Sequence, residues 1–129
     1  MNTRIVRSLI VGAALLAACV NNVSAAEADK EDKAMFGKLI TAIVQADYDS
    51  FVEDGDDSFK QKMTKEQFDA AVRQLSQRLN AGYEATYLGT LKKSGGHHSL
   101  WRLTFKDVEE EALVTLSVKD GKVRAFIIR

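Results

Sequence analysis

The chain contains no proline, one cysteine, two histidines and no net charge, with 18 basic side chains against 18 acidic ones. Without proline there are no rigid polyproline linkers and no proline-rich ligand motifs. A lone cysteine allows no internal disulfide, so an oxidising compartment is permitted but adds no covalent staple. Balanced charge gives no strong field for nucleic acid or for an anionic membrane surface. No Gly-x-Ser-x-Gly elbow is present, and no Cys–His pairing survives outside the leader, so nucleophilic catalysis has no visible machinery. A length of 129 residues predicts one domain.

Long apolar runs are also scarce. Leu9 to Val20 is the one candidate, and it is short for a membrane span. Arg4 and Arg7 precede it and Val23-Ser24-Ala25-Ala26 follows, which is the layout of a signal peptide. Two processing readings stand side by side. Cleavage after Ala25 makes residues 1–25 the signal peptide and residues 26–129 a single soluble domain. Leu16-Ala17-Ala18-Cys19 resembles the bacterial lipobox, which would remove residues 1–18 and lipidate Cys19. Either way the expected location is outside the cytoplasm, in the periplasm or tethered to the envelope. A lipid at Cys19 would be the one membrane attachment.

What is abundant is alternation. In Trp101-Arg102-Leu103-Thr104-Phe105-Lys106 the large apolar groups take every second position, so they share one face of a strand. Ala112, Val114, Leu116 and Val118 repeat the pattern, and Lys106 to Glu109 is expected as a tight link between the two runs. Asp120-Gly121 then marks a hairpin, since both residues tolerate positive φ. The last run, Lys122 to Ile128, is apolar on both faces near its end. The first run, Tyr83 to Leu91, sets Tyr83, Ala85, Tyr87 and Leu91 on one face, and Lys92 to Gly96 is expected as a wide turn.

Upstream the period changes. Phe36, Leu39, Ile40, Ile43 and Val44 recur at three and four residues, giving one helical stripe. Asp47 to Val52 continues or restarts that helix, and Glu53-Asp54-Gly55-Asp56-Asp57 breaks it. Thr64-Lys65-Glu66-Gln67 is a capping box opening a helix with Phe68, Val72, Leu75 and Leu79 on its apolar face. Gly82 is expected to end it in the left-handed conformation. Helices first and strands after predict an α+β domain, with N-terminal helices packed on a curved four-stranded antiparallel meander.

From Glu31 to Arg129 this arrangement resembles the nuclear transport factor 2-like superfamily, the cystatin-like α+β cone. The likeness rests on the first helix running into Asp47-Tyr48-Asp49-Ser50-Phe51, on Phe59 to Phe68 leading into a second helix, and on the meander. It implies a sheet wrapped around the helices and a pocket at the open end. It implies no catalytic residue here, because no family active-site pattern matches. A runner-up is a small exported helix-plus-meander module of the peptidase-inhibitor-associated kind, with a similar sheet and no pocket.

Candidate chemistry is thin. His97 and His98 are neighbours on a strand and point to opposite faces, so they do not chelate one metal together. His97 shares parity with Trp101 and faces inward, where it is the one candidate general acid or base, without an identifiable carboxylate partner. The acidic run fails as a calcium loop: counted from Asp54, the glycine position holds Phe59 and the glutamate position holds Lys65. No metal or cofactor is expected. Tyr48, Phe51, Tyr87, His97 and Trp101 are the candidate lining of a ligand pocket, and for the aromatics a place in the core is the competing reading. The expected role is a non-catalytic exported module binding a small ligand or an envelope protein. The alternatives are a small cone-pocket enzyme using His97, Tyr48 or Tyr87, and a homodimer acting through its exposed sheet face.

Overall fold

The computed structural model describes residues 29–129. The signal peptide, its cleavage after Ala25 and lipidation at Cys19 lie outside the described residues. Four helices precede four strands: α1 (Lys30–Gln45), α2 (Tyr48–Val52), α3 (Asp57–Lys62), α4 (Lys65–Ala81), then β1 (Tyr83–Lys93), β2 (Gly96–Phe105), β3 (Ala112–Lys119) and β4 (Lys122–Ile128). The strands form one antiparallel sheet in the order β1-β2-β3-β4, and the helices cover one face of it. The fold is α+β, and the sheet is curved but not closed.

Helix boundaries follow local chemistry. Ala46 takes the left-handed conformation at φ 55°, and the Asp47 N–H reaches back to the Ala42 carbonyl at 2.8 Å, which ends α1. Asp47 then caps α2 by accepting from the Ser50 N–H, so the chain restarts a helix there. Thr64 accepts from the Gln67 N–H at 3.2 Å and opens α4. Gly82 departs from the expected left-handed cap: at φ 121° and ψ 136° it is extended in a region only glycine enters readily, and it passes the chain straight into β1. Helix α3 has one apolar residue on its buried side, Phe59, so no period announced it; Asp56 caps it at Phe59 N with 2.8 Å.

Two β-bulges set the sheet's register. The shift between Tyr87 and Gly89 moves Leu91 opposite His98 on the outer face, where it is 61% exposed. The expected common face of Tyr83, Ala85, Tyr87 and Leu91 therefore breaks at Leu88. The turn after β1 is tight, not wide: Lys93 pairs with Gly96 across Ser94 and Gly95, both at positive φ. Asp120 and Gly121 make the matching turn between β3 and β4. The β2–β3 link is longer than expected, running from Lys106 to Glu111.

The core lies between the inner sheet face and the helices. Trp101 stacks on Phe36 at 4.2 Å between ring centroids. Phe51 meets Phe68 at 5.0 Å and Phe126 at 5.9 Å. Trp101, Leu103 and Phe105 on β2, Val114, Leu116 and Val118 on β3, and Val123 and Phe126 on β4 are all buried. The acidic run between α2 and α3 is tied down by its neighbours. Lys38 reaches Glu53 at 2.6 Å and Asp54 at 2.9 Å, and the backbone of Asp54 and Asp56 bonds Val123 at the start of β4.

Candidate functional site

Two recesses, one at each end of the sheet, hold three of the side chains expected to meet a ligand: Tyr87 and His97 in one, Phe51 in the other. The first lies at the hairpin end, between the start of α1 and the β1–β2 turn. It is an open groove of ≈ 760 Å³ lined by Asp29, Asp32, Tyr87, Thr90, Lys92 and His97 among others. Asp32 sits one turn before Phe36, so it occupies the buried face of α1. His97 sits four residues before Trp101, so it points inward from β2. They meet there: His97 Nε2 lies 2.7 Å from Asp32 Oδ1, with the Asp32 side chain 2% exposed and that of His97 30% exposed.

The carboxylate partner that sequence reasoning could not find is therefore Asp32. Its signal was available, since Asp32, Phe36 and Leu39 lie at helical spacing on one face. What the sequence did not show was the docking of α1 on β2, which brings together residues 65 positions apart. Around this pair the polar groups satisfy one another. The Tyr87 and Thr90 hydroxyls bond each other, and Trp101 Nε1 donates to the buried Ser99 Oγ at 3.1 Å. Chemically, a carboxylate orienting an imidazole leaves Nδ1 to meet a ligand or a proton. Structurally, the same bond clamps the first turn of α1 to the sheet.

The second recess opens at the far end, where β2 and β4 finish and β3 begins. It is a cleft of ≈ 530 Å³ whose walls include Ile43, Phe51, Leu75, Phe105, Phe126 and Ile128. Polar groups stand among its lining as Gln74, Arg78, Glu110, Glu111 and Arg129. Arg78 lies over the Phe105 ring at 5.9 Å and reaches Glu110 at 4.0 Å. A cleft of this size with apolar walls and a few charged groups is the usual form of a small-molecule site.

The five pocket residues expected from the sequence do not share one cavity. Tyr87 and His97 line the hairpin groove, and Phe51 lines the far cleft. Trp101 is 4% exposed and belongs to the core. Tyr48 packs edge-on against Phe68, and its hydroxyl donates to the Met63 carbonyl at 2.7 Å, which holds the end of α3. His98 turns to the outer face and bonds Ser117 there. No family model, curated protein or solved structure matches the chain.

Proposed function

We propose that the protein is an exported, non-catalytic binding module whose far cleft takes a small ligand with an apolar body and a charged or polar end. The observation that carries this is the cleft's make-up: aromatic and aliphatic walls, with its titratable groups drawn from Arg78, Glu110, Glu111 and Arg129, and no acid–base pair beside a nucleophile. Apolar walls supply binding by removing ligand surface from water, and the charged groups orient the polar end. The resemblance to the nuclear transport factor 2-like cone implies a pocket at the open end, and that expectation supports reading the cleft as a binding site. Export rests on the leader, from Arg4 and Arg7 through Leu9–Val20 to Ala25.

Titration with dodecanoate and with dodecanol, followed by amide shifts of the isotopically labelled chain, tests the cleft. Binding should move the resonances of Leu75, Phe105 and Ile128; Ala71 also lines the cleft, and Ala71→Trp, which fills it, should abolish binding. Absence of shifts there with both probes, or unchanged binding by the filled variant, would refute the reading. Intact mass of the chain recovered from the envelope tests export. A start at Ala26, or a lipid-bearing Cys19, supports it, and an unprocessed chain in the cytoplasm refutes it.

The Asp32–His97 pair favours a second reading, a small enzyme with His97 as a base oriented by Asp32. Of the hydroxyls that line the groove, those of Tyr87 and Thr90 bond each other, and Ser94 stands in the β1–β2 turn. If an activity is found, His97→Asn should abolish it while Trp101 emission and the fold persist.

A further inference from the structure

Strand β1 is the barest part of the sheet. Its eleven residues, Tyr83–Lys93, are all exposed or half-buried, and they form one edge. Among the described residues no backbone hydrogen bond reaches its outer rim, whereas β4 is partly covered by Asp54 and Asp56 at Val123. Of the five exposed large apolar side chains among the described residues, Tyr83, Leu88 and Leu91 belong to β1. A long open edge is a template for another strand, and lysines or a bulge normally blunt it. Strand β1 carries both devices, the bulge at Leu88 and the lysines Lys92 and Lys93 at one end, but Glu84 at the other end offers those lysines a partner of opposite sign.

We propose that β1 pairs antiparallel with β1 of a second copy of this chain, about a two-fold axis at Gly89. The register follows from the bulge. Pairing with β2 places Glu84, Thr86, Leu91 and Lys93 on the outer face, opposite Thr104, Arg102, His98 and Gly96. Ala85, Tyr87, Thr90 and Lys92 take the inner face, opposite Leu103, Trp101, Ser99 and His97. With Leu88 bulged out in both copies, Glu84 meets the partner's Lys93 and Thr86 meets the partner's Leu91, outer face to outer face. Ala85 meets the partner's Lys92 and Tyr87 meets the partner's Thr90, inner face to inner face. A slip of one residue would set inner side chains against outer ones. A slip of two would lose both Glu84–Lys93 pairs.

Gly89 on the axis suits this arrangement. It has φ 152°, a conformation that side chains rarely adopt, and without a side chain it leaves the pair nearest the axis uncrowded. The two sheets would join into one of eight strands. The grooves beside His97 would become continuous across the axis, because Tyr87 and Thr90 line both. This pairing is independent of the far cleft.

Sedimentation equilibrium of the full chain as recovered from cells tests the proposal. The wild type should dimerise. Glu84→Lys alone, or Lys93→Glu alone, places two like-charge contacts at the interface and should weaken dimerisation about tenfold. Combining the two restores both pairs with signs exchanged and should recover wild-type association. Both sites are exposed, so circular dichroism should not change, and melting temperatures taken at concentrations where every variant is monomeric should coincide. A chain that stays monomeric at NMR concentrations overturns the proposal. So does a dimer insensitive to either reversal, or a double variant no tighter than the weaker single one.

Discussion

Replacing Trp101 removes the side chain around which the inner sheet face and α1 are joined. Its indole stacks on Phe36 at 4.2 Å, meets Tyr87 edge-on at 5.4 Å, and donates Nε1–H to Ser99, which has no solvent exposure. Trp101→Ala leaves a cavity under α1, and truncating a buried aromatic costs about 3–5 kcal/mol. It also strips Ser99 of its donor, adding about 1–3 kcal/mol if no water replaces it. A domain of this size has about 5–15 kcal/mol in all, so the alanine variant should be barely folded. Trp101→Phe keeps a ring against Phe36 and should remain folded, with a smaller loss dominated by Ser99. Urea unfolding followed by circular dichroism measures both, because the chain's single tryptophan is gone from each variant. In the wild type, Trp101 emission should be blue-shifted and weakly quenched by acrylamide. An alanine variant within about 1 kcal/mol of wild type would refute the packing argument, since it lies below the range for any buried aromatic. Emission like that of free indole in water would do the same.

The Asp32–His97 bond should behave as a coupled pair: His97→Ala should cost about 1.5–3 kcal/mol, and the double alanine variant should cost less than the sum of the singles. Additive losses in that cycle would mean the two do not interact. Ala46→Gly should stabilise by about 0.5–1 kcal/mol, because the left-handed position strains alanine by more than glycine loses in unfolded-chain entropy; a lower melting temperature would contradict this. The Ser50 hydroxyl and N–H hold the Asp47 carboxyl below the usual carboxylate range. Its contribution should be present above the unfolded value and lost as pH falls through the folded one, so Asp47→Asn should destabilise at neutral pH and converge with wild type in strong acid. Glu53, and after it Asp54, raise the Lys38 ammonium, so its contribution is full below 10.5 and fades as pH climbs through the folded value. Lys38→Met should therefore lose its destabilising effect in strong alkali, and a constant difference across that range would exclude the ion pairs. His98→Ala, though on the outer face, should cost about 1 kcal/mol because Ser117 loses its partner, and a neutral result would show that bond to be immaterial.

Side-chain periodicity by itself determined the two main helices, the four strands, the inward face of β2 and β3, the Thr64 cap and the Asp120-Gly121 turn. Each depends on neighbours a few residues apart, and the chemistry of caps and turns is local. The parity of His97 and the helical phase of Asp32 were also written there, but separately. Only the tertiary structure decided that they meet, because which face of α1 lies over which row of β2 is a matter of packing across 65 residues. The bulge at Leu88 was likewise invisible, since one extra residue leaves no mark on an alternating pattern until its partner strand is in place. It turned Leu91 outward and gave β1 its present edge. The aromatics expected to line one pocket were divided in the same way. Trp101 and Phe51 share one core, while the space left over lies at the far end, where three strand ends and α4 fail to close. Cavities form where elements stop short of one another, and no single segment of sequence carries that information.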